Sequence, residues 1–172
     1  MSSKNRKVKS LVGDKYYTPQ YAIDLMMDRI NFSKVKSFLE PCVGDGRILK
    51  SVPKDVIKYY CEIDLGIDYL KTDCAKVDLI VTNPPFSMSI EFITKSLQES
   101  DTVCYLQRLN WLGSDTRKNF WNNNPPDKIF VLSKRPQFMK EMGLKSGTDS
   151  TEYAWFIWDK MNIVQGNNIE VL

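Results

Sequence analysis

An apolar stretch suited to a buried parallel strand, residues 77–82, runs straight into Asn83-Pro84-Pro85-Phe86. Two consecutive prolines remove two backbone donors and fix φ, so neither a ladder nor a helix continues through them. The turn is rigid. It sets an amide side chain, a carbonyl and an aromatic ring at the carboxyl end of a strand, a combination suited to a flat ring bearing an amine. The same four residues also read as a tight turn whose Phe86 plugs the core, so the rest of the chain must decide between the two.

Upstream, Tyr16-Tyr17-Thr18-Pro19 opens a helix that runs to about residue 29, with Thr18 as its cap and Pro19 at its first position. Residues 35–40 form a strand, 41–46 a glycine-bearing turn and 47–52 a short helix, the opening half of a βαβ unit. A second strand over 56–64 ends in acids, and an irregular piece covers 69–73. After Phe86, Ser87 or Ser89 can cap a helix with Ile90, Ile93 and Leu97 on one face. Strands follow at 102–107, 128–133 and 152–159, with a short helix at 114–121 and a polar, basic loop at 134–150. This alternation predicts an α/β fold: a mostly parallel twisted sheet with helices on both faces. The last two strands lack a convincing helix between them, so one of them is expected to run antiparallel to the rest. The 172 residues suit one domain over 13–172, preceded by a basic, flexible arm over 1–12.

There is no histidine, which excludes Ser-His or Cys-His nucleophile pairs and any histidine-ligated metal. The cysteines, Cys42, Cys61, Cys74 and Cys104, show no CxxC spacing, so reduced thiols are expected rather than a metal site or disulfide framework. No apolar run approaches a membrane span and no signal peptide begins the chain, so the expected compartment is the cytoplasm, that of a bacterium or of a phage-infected host. Lys4, Arg6, Lys7 and Lys9 concentrate charge in the first ten residues, leaving 20 basic against 21 acidic residues elsewhere. Such an arm is either a solvated tail or a contact to nucleic-acid phosphates.

In open α/β sheets ligands bind beyond the carboxyl ends of the strands. Glu40, Gly44, Gly46, Glu62, Asp64, Asp73 and Asn83 all fall at or just past such ends. Gly44-x-Gly46 lacks the third glycine of a dinucleotide fingerprint, and acids at Glu40 and Asp45 would repel a pyrophosphate. An acid beside the glycine turn suits a positive amine instead. Glu62 or Asp64 can accept two ribose hydroxyls, and Asp73 can accept from an adenine amine. A nucleoside with a cationic amino-acid tail fits all three, and S-adenosylmethionine is such a molecule.

Four stretches in this order, Tyr17-Thr18-Pro19, residues 38–46, residues 61–64 and residues 78–86, resemble the S-adenosylmethionine-dependent amino-methyltransferases. Within them the chain is similar to the N6-adenine DNA methyltransferases with the gamma order of motifs, including small phage and bacterial members. The resemblance spans roughly the first half of the chain. It implies a Rossmann-like class I methyltransferase fold and methyl transfer to the N6 amine of adenine, with base flipping because N6 is inaccessible in a duplex. It also implies roles. Asn83 and Pro84 accept from the target amine, Pro85 stiffens the turn and Phe86 stacks on the base. Tyr17, Thr18, Pro19, Glu40, Pro41, Gly44, Gly46, Glu62, Ile63, Asp64 and Asp73 line the cofactor.

In the second half, Arg108, Asn110, Trp111 and Arg117 interleave basic and aromatic groups as a strand-binding surface does, and Phe138 is a candidate second aromatic against the base. The alternative for Trp111 is the core. The chain has no room for a separate target-recognition domain. The expected partner is DNA, with no metal and no membrane, and the expected state is a monomer or weak dimer. Adenine in ribosomal RNA, or a protein glutamine amide, presents similar donors and stays open as substrate. A non-catalytic nucleic-acid-binding module on the same fold is the reading from another class.

Overall fold

The computed structural model describes residues 16–143 and 151–172. The basic arm and the end of the polar loop lie outside the described residues. Seven strands form one sheet: β1 (Ser37–Glu40), β2 (Ile57–Tyr60), β3 (Val77–Thr82), β4 (Ser100–Arg108), β5 (Lys128–Val131), β6 (Tyr153–Asp159) and β7 (Ile169–Val171). Their order is β2-β1-β3-β4-β6-β5-β7. Neighbours among β2, β1, β3 and β4 are parallel, while β6 is antiparallel to β4 and β5 on its two sides. β7 runs parallel to β5, so among the described residues the single reversed strand is β6.

The helices are α1 (Gln20–Met27), α2 (Arg47–Ser51), α3 (Ser89–Glu99), α4 (Lys118–Asn123) and α5 (Phe138–Glu141). One sheet face buries Phe38, Leu79, Cys104, Trp155 and Ile157 against Ala22, Ile23 and Met26 of α1 and Ile48 of α2. The other buries Leu39, Ile80, Val103, Tyr105 and Phe156 against Phe92 and Ile93 of α3. Alternate residues of one strand thus serve opposite cores, which explains the unbroken apolar runs 79–81 of β3 and 103–106 of β4. Asp78, the acid at the start of β3, accepts from the Lys36 and Ser37 N–H groups at 2.8 and 2.9 Å and so ties β3 to the entry of β1.

Several boundaries differ from the sequence expectation. Pro19, not Thr18, is the N-cap of α1, and Thr18 is buried instead of capping. Met88 caps α3, while Ser89 sits inside the helix and donates to the Phe86 carbonyl at 3.0 Å. The helix expected at 114–121 is a 3-10 turn, Asp115–Arg117, followed by α4. Two pieces went unread: α5 within the polar loop, and β7, whose Ile169 and Val171 are mostly exposed. No helix among the described residues is long and apolar enough to cross a membrane.

Candidate active site

The chain leaves β1 through a turn that only glycines suit. Gly44 and Gly46 have φ of +54° and +78°, the left-handed region that costs other residues roughly 1–2 kcal/mol. The reversal points the Gly44 N–H at Glu62 Oε2, 2.7 Å away past the end of β2. Glu62 Oε1 accepts from the Asp64 N–H at 3.3 Å. The carboxylate is therefore fixed by its own backbone at the wall of the site.

A cleft of about 430 Å³ opens beside these groups, within the size range of small-molecule sites. Its walls include Tyr17, Pro41, Gly44, Glu62, Ile63, Asp64, Asp68 and Asn83. A narrow crevice of about 20 Å³, room for a single small polar group, continues it to Glu40 and shares Tyr16, Tyr17, Cys42, Gly44 and Asn83 with the main cleft. Thr18 lines this crevice. Ile63 is two-thirds exposed at the rim.

Glu40 is almost wholly buried. Burial pushes its carboxyl well above the usual range, and nearby Asp45 and Glu62 push the same way, against the backbone N–H of Leu49. Among the described residues three buried side-chain polar atoms lack a partner: Glu40 Oε2, Thr82 Oγ1 and Asn83 Oδ1. All three sit at the carboxyl ends of the adjacent strands β1 and β3. At Asn83 the other half of the amide is occupied, since Nδ2 donates to the Tyr16 carbonyl at 2.9 Å. That bond orients the side chain and leaves its oxygen as the available acceptor.

Phe86 lies in an aromatic cluster instead of open to the cleft. Tyr16 stacks on it with centroids 5.6 Å apart, Tyr153 and Phe138 approach at 5.9 and 6.4 Å, and the Arg108 guanidinium lies 4.9 Å over the ring. Phe138 therefore does join Phe86, and Arg108 joins both through a 3.3 Å bond to the Tyr153 hydroxyl. The residues expected beside Arg108 do not gather there. Trp111 is buried against Phe120, Trp121 and Phe156, and Arg117 is turned back to donate to the Trp111 carbonyl at 2.8 Å. Trp111 is core, and Asn110 is exposed at the surface.

Asp73 is also displaced from the expected place. It borders a separate hollow beside β2, with Tyr59, Thr72 and Cys74. Asp68 takes its place on the cleft wall, where Oδ1 accepts from the Leu70 N–H at 3.1 Å and Lys71 pairs with the other oxygen. The intervening segment has no periodicity that would rank one acid over the other.

Arg47 was not singled out by any motif. Its guanidinium bonds Asp45 at 2.8 Å, the Thr18 carbonyl at 3.1 Å and Glu141 of α5 at 2.7 Å. It thereby joins the glycine turn, the strap carrying Tyr16 and Tyr17, and the helix carrying Phe138. Pro19, at the end of the strap, is buried and begins α1.

No protein-family model matches the chain, and no curated protein matches it in sequence. Solved structures do. A candidate RNA methyltransferase from Pyrococcus horikoshii superimposes with a TM-score of 0.63 at 14% identity, covering 85% of this chain and 87% of that one. A candidate class I S-adenosylmethionine-dependent methyltransferase from Listeria monocytogenes gives 0.61 at 14% identity, covering 92% and 66%. A methyltransferase subunit of a type I restriction-modification system from Streptococcus thermophilus gives 0.65 at 16% identity, covering 92% of this chain and 48% of its own. The chain thus spans about half of that subunit. At such low identity the likeness is one of architecture: this chain has the Rossmann-like fold of the class I methyltransferases.

Proposed function

We propose that the protein transfers a methyl group from S-adenosylmethionine to the N6 amine of adenine in DNA. The observation that carries the reading is Asn83 Oδ1, a buried acceptor with no donor, held in place by the bond from Nδ2 to Tyr16 and set at the edge of the cleft.

The residues present fit the cofactor. Glu40, with its unpartnered oxygen in the narrow crevice, suits an ammonium group, whose arrival would stabilise the ionised carboxylate. The Glu62 carboxylate on the cleft wall suits ribose hydroxyls, Asp68, oriented by the Leu70 N–H, offers an acceptor to the adenine amine, and Ile63 offers an apolar cover. When bound, the cofactor supplies an electrophilic methyl group on a sulfonium. Asn83 Oδ1 and the Pro84 carbonyl accept from the target amine and localise its lone pair toward the incoming carbon. Orientation and charge stabilisation are the contributions asked of the chain, so the absence of histidine is no obstacle. Stacking on Phe86 requires the base to replace Tyr16 or Arg108, the two groups that cover the ring.

DNA is favoured by the motif order and by the likeness to a restriction-modification methyltransferase subunit. The likeness to a candidate RNA methyltransferase supports RNA as the second reading. Incubating the protein with methyl-labelled cofactor and unmethylated DNA, then digesting, should yield labelled N6-methyladenine, and Asn83→Ala should lower the rate by at least about 100-fold, the scale of losing one transition-state hydrogen-bond partner. Labelling of ribosomal RNA or of a protein, with none of DNA, would reject the DNA assignment.

A further inference from the structure

Residues 16–18, the strap beside the cleft, belong to no helix or strand, so contacts from other elements set their place. Two side-chain donors reach the strap's backbone. Asn83 Nδ2 bonds the Tyr16 carbonyl at 2.9 Å, and Arg47 Nη1 bonds the Thr18 carbonyl at 3.1 Å. Between these fastenings Tyr17 lies over the glycine turn. A Cβ at Gly44 would meet Tyr17 Cε1 at 3.5 Å, and the Arg47 guanidinium stands 5.9 Å from the ring centroid. The strap serves both halves of the site, because Tyr17 walls the cleft that Glu62 also lines, while Tyr16 stacks on Phe86.

Arg47 reaches a third element as well. Nη1 also bonds Glu141 Oε2 at 2.7 Å, on α5, whose first residue Phe138 packs on Tyr16 at 5.6 Å and on Phe86 at 6.4 Å. A helix of four residues is not stable by itself, so such contacts hold it in place. The guanidinium is in turn aimed from the glycine turn. Asp45 Oδ2 lies 2.8 Å from Nε and 2.7 Å from Nη2, and Asp45 Oδ1 accepts from the Arg47 backbone N–H at 3.3 Å. Contacts thus face back to the turn and forward to the strap and α5 at once. A planar guanidinium fork serves all of these partners, and a point-charge ammonium does not.

We propose that Arg47 is a positioning residue for methyl transfer, joining the half of the site that holds the cofactor to the half that receives the base; the inference rests on the methyltransferase reading above. With the strap fastened on both sides of Tyr17, the Tyr16 ring can leave Phe86 by turning about its own side-chain bonds. Tyr17 then stays on Gly44, and the cofactor's wall stays closed while the target enters. Arg47, Asp45 and Glu141 are 24%, 29% and 34% exposed, so their ion pairs add little to the stability of the fold. What they fix is geometry, and a site misplaced by about an ångström loses rate steeply.

Glu141 separates this role from a direct contact with the cofactor. Arg47 lines the crevice, whereas Glu141 is not among the residues lining the crevice or the cleft, so its influence on the cofactor passes through Arg47. Calorimetry with S-adenosylmethionine on the wild type, Glu141→Gln, Arg47→Met and the double variant tests this. Glu141→Gln should weaken binding about threefold, the scale of one partly exposed ion pair, and Arg47→Met about tenfold. The double variant should match Arg47→Met, because the contribution of Glu141 exists only through its partner. All should melt within a few degrees of the wild type. At saturating cofactor, on whichever nucleic acid the wild type methylates, Arg47→Met should lower kcat at least about tenfold. Unchanged cofactor affinity in Glu141→Gln, additive losses in the double variant, or an unchanged kcat in Arg47→Met overturns this inference alone. A wild type that binds no S-adenosylmethionine overturns the methyltransferase reading, and this inference with it.

Discussion

Glu40→Gln should make the ligand-free protein more stable while weakening its hold on the cofactor. Glu40 is 1% exposed, its Oε2 has no donor, and Asp45 and Glu62 lie close enough to oppose its charge. Its carboxyl is held well above the usual range, chiefly by burial. The sign follows from linkage. A carboxyl with a raised folded-state pKa binds its proton more tightly in the native state, so stability is highest below the ordinary carboxylate range. It then falls as pH rises from that range toward the raised value. Glutamine keeps an oxygen for the Leu49 N–H and sets a donor where the bare oxygen stood. Removing one unsatisfied buried acceptor is worth roughly 1–3 kcal/mol. For a chain of this length each kcal/mol moves Tm by about 2–4 °C. Melting curves from pH 4 to 9 should therefore show Glu40→Gln above wild type at neutral and higher pH, with the gap closing toward acid. Calorimetry should show S-adenosylmethionine binding at least about tenfold weaker, the loss of one charge-assisted contact. A variant less stable than wild type at pH 8, or with the same slope of Tm against pH, would refute the reasoning about Glu40.

Asp68→Asn should weaken S-adenosylmethionine binding by about tenfold in the same calorimetric assay, whereas Asp73→Asn should leave it unchanged, because only Asp68 borders the cleft. Trp111→Ala should cost about 3–5 kcal/mol in denaturant unfolding, the scale for a buried large aromatic, a loss that a purely substrate-binding tryptophan would not cause. Gly44→Ala should cost roughly 1–2 kcal/mol by the same measurement because of its positive φ, and should lower cofactor affinity by shifting the N–H that fixes Glu62.

What was legible in the sequence follows from a single rule of parallel sheets. Strand ends can be counted, and polar residues found there share one edge. Glu40, Gly44, Glu62 and Asn83 were readable for that reason, and the cleft does gather them. The antiparallel strand was readable because a parallel return needs a long crossover, and the polar loop before it shows no apolar helical period; the helix found there, α5, is only a single turn. Trp111 was not readable, because basic residues interleaved with aromatics look the same whether the ring faces a base or the core. Asp68 on the cleft wall went unread for another reason, that an irregular connection has no period to orient its side chains. The covers on Phe86 come from Tyr16, 70 residues upstream, and Arg108, and pairing between such distant positions leaves no local pattern. β7 escaped because three residues, two of them mostly exposed, are shorter than any usable periodicity.

The case for a site at this edge rests on a contrast within one molecule. Elsewhere the fold satisfies its buried polar groups: Gln107 donates to Ser89 at 2.7 Å, Thr102 to Asp159 at 3.1 Å, and the Tyr69, Ser96 and Tyr105 hydroxyls bond in series at 2.9 and 2.6 Å. The same sheet, built from the same kinds of residue, leaves Glu40 Oε2, Thr82 Oγ1 and Asn83 Oδ1 without donors at neighbouring strand ends. Each such group costs roughly 1–3 kcal/mol, a sizeable fraction of the stability of a domain. Nor is the shortfall at Asn83 a failure of placement, because its Nδ2 is bonded to Tyr16 and its side chain is fixed. A cost gathered at the edge where α/β sheets bind ligands, two of its three atoms pure acceptors, is balanced when a molecule bearing N–H donors enters. An adenine amine facing Asn83 and an ammonium group facing Glu40 are donors of the required kind, and they belong to two different molecules meeting in one cleft.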